Sequence, residues 1–205
     1  MKRPRKIYQN DLVTTRYTLL SRLQNWQDDR SWADFFETYW RLIYSLAIRA
    51  GLTETEAQDV VQETVIRVAK DIGKFELDRS RGSFKGWLRN LTRWRIADQL
   101  RKRQLGPGKH DVDHALDEVP EPVSQTVNTY WEAEWEANLM EAALERVKKR
   151  IREEHFQIFD LYVVKNWTAP QVARRLGVSI SQIYVTKYRI SLLIKREMQS
   201  LQNRY

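Results

Sequence analysis

Turn-forming residues are scarce and unevenly spread along this chain, and their placement limits its folds more than any other property. Glycine and proline together make 12 of 205 residues. Five of the twelve, Gly106, Pro107, Gly108, Pro120 and Pro122, crowd into one stretch, whereas Val123 to Ala169 contains none. An all-β domain needs a turn about every 8–12 residues, so that architecture is excluded. The pattern predicts an all-α chain of two small helical domains, residues 1–104 and 131–205, joined by a flexible linker over 105–130. Residues 1–104 reach the lower end of the roughly 100–200 residues a domain commonly takes and residues 131–205 fall below it, so both are small.

Hydrophobic spacing fills in the helices. Trp32, Phe35, Phe36, Tyr39, Trp40, Ile43, Leu46 and Ala47 recur at i, i+3, i+4 and i+7 up to Gly51. Thr53 and Glu56 form a capping box for a second helix that runs through Val60, Val61, Val65, Val68 and Ile72 to Gly73. Ser83 caps a third, with Phe84, Trp87, Leu88, Leu91 and Leu100 on one face. An earlier helix spans about Leu12 to Trp26. After the linker, Trp131, Trp135, Leu139, Ala143 and Val147 open a helix whose pattern continues through Ile151, Phe156 and Phe159 to about Lys165.

The last forty residues are punctuated more sharply. Thr168 and Gln171 form a capping box with Pro170 in the first turn, Gly177 suits a left-handed helix end, and Ser179 with Gln182 forms another box that restarts the chain. Short helix, three-residue turn and longer helix make a helix-turn-helix, whose second helix enters the DNA major groove. Its groove face is expected to carry Ser181, Gln182, Tyr184, Thr186, Lys187, Tyr188 and Arg189. Glutamine pairs with adenine, arginine with guanine, and lysine and tyrosine with phosphates.

Net charge is +8 overall, but it divides by segment into +8 over residues 1–105, −9 over 106–145 and +9 over 146–205. Two basic blocks around an acidic linker suit two separate contacts with a polyanion. In the third helix Lys85, Arg89 and Arg93 form a stripe that Arg101, Lys102 and Arg103 extend. Trp87 reads as core; Trp94 stays open between core and a flat partner for an unstacked base. The second helix is acidic outside, with Glu54, Glu56, Asp59, Glu63 and Asp71, so it suits a basic protein partner or plain solvent.

Enzyme classes find little support. Zero cysteines remove thiolate metal sites and thiol chemistry, and agree with a reducing compartment. His110 and His114 have i, i+4 spacing but sit between Gly108 and Pro120, without a third ligand. No phosphate-cradling glycine loop or nucleophile motif occurs, no apolar run is long enough to span a bilayer, and no secretory signal pattern opens the chain. The expectation is a non-enzymatic protein without metal or cofactor, in the cytoplasm and not bound to membrane.

The segment DVVQETVIRVAKDIGKFELDRSRGSFKGWLRNLTRWRIADQLRKR resembles conserved region two of the extracytoplasmic-function sigma factors of bacterial RNA polymerase, which belong to the sigma-70 family. The helix-turn-helix TAPQVARRLGVSISQIYVTKYRI is similar to their region four. The resemblance implies a region-two-like bundle over 1–104, an acidic linker over 105–130 and a region-four-like domain over 131–205. It gives Asp59, Gln62 and Glu63 to the clamp helices of the polymerase's largest subunit. It gives Asp78, Arg79, Ser80, Arg81, Ser83, Lys85, Arg89, Arg93, Trp94, Arg101 and Arg103 to the minus-ten element. The minus-thirty-five element takes Thr168, Ser179, Ser181, Gln182, Tyr184, Thr186, Lys187, Tyr188 and Arg189. Partners implied are core RNA polymerase, through the clamp helices and the flap, promoter DNA and an anti-sigma factor. The chain departs from the family at Trp94, usually Asn, and at Val185, Thr186 and Lys187, often a small residue, Arg and Leu. The expected function is a sigma factor that binds core polymerase, directs it to promoters and assists melting. The alternative is a stand-alone regulator whose N-terminal helices dimerise or bind a ligand.

Overall fold

The structure is a computed structural model and describes residues 22–77, 83–105 and 120–202. Every described element is helical, in the order α1 Asp29–Arg49, α2 Glu54–Leu77, α3 Phe84–Leu105, α4 Glu121–Lys148, α5 Glu153–Phe159 with a π-turn Asp160–Val164, α6 Ala169–Leu176 and α7 Ile180–Gln202. The chain divides into two compact units, and the boundary between Asn138 and Leu139 falls within α4. No helix among the described residues is long and apolar enough to cross a membrane.

In the first unit α1 packs on α2, and α2 on α3. Asp28 starts α1 by accepting from the Ser31 N–H at 3.1 Å and the Ser31 hydroxyl at 2.8 Å. Arg22 above all, then Ser31, holds the Asp28 carboxyl down to about 2. α1 buries Phe35, Tyr39, Leu42, Ile43, Leu46 and Ala47. Its end is left-handed at Gly51, φ 85°, which lets the Leu52 N–H return to the Ala47 carbonyl at 3.2 Å. The expected Thr53/Glu56 box then opens α2, with the Thr53 N–H on Glu56 Oε2 at 2.8 Å and the Glu56 N–H on Thr53 Oγ1 at 3.4 Å. α2 does not stop at Gly73 as expected but runs on to Leu77. A Cβ at Gly73 would stand 4.0 Å from the Gln24 side chain, an ordinary contact, so the glycine is a plain interior position of α2 and not its end. Ser83 Oγ accepts the Gly86 N–H at 3.2 Å to start α3, which buries Phe84, Leu88, Leu91, Thr92, Ile96 and Ala97.

The last ten residues of the expected linker are helical. Residues 121–130 are the first turns of α4, with Pro120 accepting the Val123 and Ser124 N–H groups at 3.0 and 3.1 Å. Proline near a helix start loses no hydrogen bond, so Pro120 and Pro122 mark an entrance here and not a loop. Val123, Val127, Trp131 and Trp135 follow one stripe of α4, all buried in the first unit. Trp135 stacks on both Tyr39 and Trp131 at 5.7 Å, and buried Asn138 donates to the Thr38 carbonyl at 2.7 Å. Residues 106–119, with His110 and His114, lie outside the described residues, as does the expected Leu12–Trp26 helix as far as residue 21; the helix ends at Leu23, short of Trp26.

The second unit begins with the end of α4, where Leu139, Ala143 and Val147 are buried. The helix expected through to Lys165 is broken after Lys148, and the backbone at Arg152 is extended, φ −67° and ψ 140°. A fresh start after the break sets Glu153 and Glu154 on the positive end of α5. Glu197 of α7, 9% exposed, is bracketed by Arg146 at 3.3 Å and Arg150 at 3.0 Å. α5 closes through the π-turn: the Lys165 N–H reaches the Asp160 carbonyl at 2.8 Å and the Trp167 N–H the Leu161 carbonyl at 2.9 Å, with Asn166 left-handed at φ 55°. Ile158, Ala169, Val172 and Ile183 form the core that holds α6 and α7, flanked by Leu161, Tyr162, Ala173, Leu176 and Val178.

Candidate nucleic-acid interface

The cations assigned to α3 are not equivalent. Lys85 Nζ lies 2.5 Å from Glu132 of α4 and 5.4 Å from the centre of the Trp135 ring, so its charge is met by its own chain. Arg103 is held at the far end of the helix: Nε donates to Glu56 Oε1 at 2.8 Å, a second bond joins Nη2 to Oε2, and both terminal nitrogens reach the Gly51 carbonyl at 3.2 Å. Arg101 pairs with Asp98 at 3.0 Å. Arg89, Arg93 and Trp94 are half-buried, and Nε of Arg93 has no acceptor among the described residues. Trp87 is half-buried too, beside Phe84 at 5.8 Å. Of the minus-ten set, Asp78, Arg79, Ser80 and Arg81 lie outside the described residues, and Ser83 is the α3 cap.

The trio on α2 separates into two directions. Asp59 and Gln62 are exposed one turn apart, while Glu63 turns toward α3, 2.7 Å from Lys102 Nζ and 3.9 Å from Arg95. The outward face of α2 is therefore Gln58, Asp59, Gln62 and the exposed Ile66. Of the trio Asp59 carries the exposed carboxylate, and Glu54 is exposed one turn before Gln58.

In the helix-turn-helix both capping boxes form. The Thr168 N–H donates to Gln171 Oε1 at 2.8 Å, and Gly177 is left-handed at φ 67°. The Ser179 N–H donates to Gln182 Oε1 at 3.0 Å, and the Gln182 N–H returns to Ser179 Oγ at 3.1 Å. Ser181 Oγ lies 3.0 Å from Ser179 Oγ. Thr168, Ser179 and Gln182 thus cap helices, while Tyr184, Lys187, Tyr188 and Arg189 stand in solvent, Tyr188 at 70% exposure. Thr186 corrects the expected groove face. It is only 9% exposed, because Ile183, Thr186, Ile190 and Ile194 fall on one inner stripe of α7.

Sequence reasoning missed two features. Glu132 and Glu134 on α4 take up cations of the first unit, Lys85 at 2.5 Å and Arg49 at 2.6 Å; the i, i+4 run Val123, Val127, Trp131, Trp135 was the signal that α4 starts early enough to present them. Tyr162 is half-buried against α7, its ring 5.8 Å from Tyr184 and edge-on to it. No group of histidine, cysteine and carboxylate able to hold a metal occurs among the described residues.

Residues 35–105, which hold most of α1 and all of α2 and α3, match the sigma-70 region 2 family. Over 95 residues the chain is 30% identical to the ECF RNA polymerase sigma factor SigE of Mycolicibacterium smegmatis, covering 45% of this chain and 35% of that protein. The chain therefore spans about a third of the length of that curated relative. The capped α1–α2 turn, the D-x-x-Q-E face of α2 and the basic α3 lie within the matched residues, so it is this stretch, residues 35–105, that is similar to region 2 of the sigma-70 proteins.

Proposed function

We propose that the chain is an RNA polymerase sigma factor that binds core polymerase, carries it to promoters read at two elements and assists melting there, with no catalysis of its own. The observation that carries this is the division of labour among surfaces. The region 2 domain presents Asp59 and Gln62 outward on a helix where Glu56, Glu63 and Asp71 are internally paired. The second unit presents Tyr184, Lys187, Tyr188 and Arg189 on the exposed side of a capped helix-turn-helix. A protein partner for the acidic helix and a DNA groove for α7 explain both, and neither surface has the convergent groups that chemistry requires. On this reading α3, through Arg89, Arg93 and Trp94, meets the upstream edge of the melted element, and Asp59 with Gln62 meets the polymerase clamp. The cytoplasm is the corresponding compartment.

Run-off transcription with core polymerase and this protein as the only sigma, on a genomic fragment library, tests the proposal. Discrete start sites that vanish without the protein are expected. Tight, salt-sensitive operator binding by the protein alone, with no start sites in the presence of core enzyme, would instead describe a stand-alone regulator.

A further inference from the structure

We propose that Tyr162 is a positioning residue for the recognition helix, seating Lys187 and Tyr184 of α7 in the posture in which they meet DNA. The proposal rests on the assignment of α7 to DNA and goes beyond it, since Tyr162 belongs to the π-turn and not to the helix-turn-helix.

Three observations converge on it. The Tyr162 ring meets Tyr184 edge-on, 5.8 Å between centres and 86° between planes. The Lys187 ammonium stands 5.6 Å from the centre of the same ring. Tyr184 and Lys187 are three residues apart and straddle it, and both are otherwise in solvent. The π-turn makes this possible, because its extra residue in the turn, closed by the Lys165 N–H on the Asp160 carbonyl, lets successive residues Leu161 and Tyr162 both flank the core of the unit.

The chemistry of the seat matters as much as its place. The carboxylate on this turn, Asp160, is already taken by Lys165 at 2.8 Å. Lys187 is offered an aromatic face in place of a counter-ion. A ring attracts the ammonium without neutralising it and leaves N–H donors for a phosphate. Lys85, bound to Glu132, must first surrender an ion pair. Holding a long side chain in place before contact reduces the rotamer freedom lost on binding, and the edge-on contact does the same for Tyr184.

The test uses the full chain assembled with core RNA polymerase, and selection from a double-stranded oligonucleotide library randomised upstream of the start site. Tyr162→Leu keeps an apolar side chain against the core but removes the ring. It should weaken binding to the wild-type-selected duplex about fivefold and broaden the bases chosen where Tyr184→Ala broadens them. Tyr162→Phe keeps the ring and should stay within about twofold of wild type. Lys187→Ala should lower the salt dependence of binding by about one phosphate contact. If Tyr162→Leu selects and binds as wild type does while Lys187→Ala weakens binding, the positioning role is overturned and the DNA assignment stands. If Lys187→Ala and Tyr184→Ala are both silent, the DNA assignment itself falls. Thermal unfolding of Tyr162→Leu separates packing from positioning: a loss of binding that appears only where helical signal is also lost makes Tyr162 a core residue and overturns the proposal.

Discussion

Arg103 and Glu56 are 47 positions apart and joined by two hydrogen bonds, so the last turn of α3 is fastened to the first turn of α2. The same carboxylate closes the capping box on Thr53. Arg103 above all, then the Thr53 N–H, holds the Glu56 carboxyl down to about 2 from an ordinary 4.5. A folded-state value below the unfolded one stabilises above the unfolded value and is lost as pH falls through the folded one. The first unit should therefore lose part of its stability between pH 4.5 and about 2, with Asp28, also held at about 2, contributing in an overlapping window from 3.8. Glu56→Gln keeps a cap acceptor, as Gln171 does for Thr168, but removes the charge. Thermal midpoints measured across this range should fall less steeply for that variant; an identical slope would refute the assignment.

Trp131 measures how much of α4 belongs to the first unit. It is 1% exposed, and truncating a buried tryptophan costs about 3–5 kcal/mol. Trp131→Ala should lower the denaturant midpoint of the first unit and leave the transition of the second in place, followed by tryptophan fluorescence and amide exchange. Loss of both transitions together would show instead that the two units unfold as one.

Asp59 and Glu63 should respond differently to charge reversal. Asp59→Lys is expected to abolish co-purification with core polymerase and leave the unfolding midpoint unchanged, because Asp59 stands in solvent. Glu63→Lys would face Lys102 and Arg95, and should lower the midpoint even without polymerase. Equal midpoints for the two variants would count against the inward placement of Glu63.

Thr186 and Lys187 are adjacent and should part company in the same way. Thr186→Arg puts a cation on the buried stripe of α7 and should destabilise the second unit by several kcal/mol. Thr186→Val should leave promoter preference as it was. Lys187→Ala should do the reverse, weakening DNA binding with little change in the midpoint. A Thr186→Val protein with altered base preference would return that residue to the groove face.

Local chemistry was readable and distant chemistry was not. The Thr53, Ser83, Thr168 and Ser179 caps and the left-handed Gly51 and Gly177 follow from residues within four positions of one another, so sequence places them. Pro120 and Pro122 carried two meanings, loop or helix entrance, and only the buried stripe behind them decides. The π-turn after Phe159 has no signature in residue type, since its defining bond is between backbone groups. Lys85 with Glu132, Glu63 with Lys102 and Arg103 with Glu56 each join residues more than thirty positions apart. Reading a stripe of cations on α3 therefore overstated the charge available to a partner. Thr186 was misplaced because a seven-residue list that runs from Ser181 to Arg189 covers about two and a half turns and must include an inward position.

If α7 reads DNA as proposed, the Ser179 cap also decides what Gln182 can say to a base. A backbone N–H only donates, so the amide atom that faces Ser179 at 3.0 Å is the carbonyl oxygen. What remains outward is the NH₂ group, a donor with no acceptor beside it among the described residues. In a major groove such a group can meet N7 of either purine, O6 of guanine or O4 of thymine, but it has nothing to offer the amino groups of adenine or cytosine. A glutamine that would spell adenine with both its atoms is here reduced to a single letter shared by several bases, and selectivity at that step has to come from its neighbours on α7.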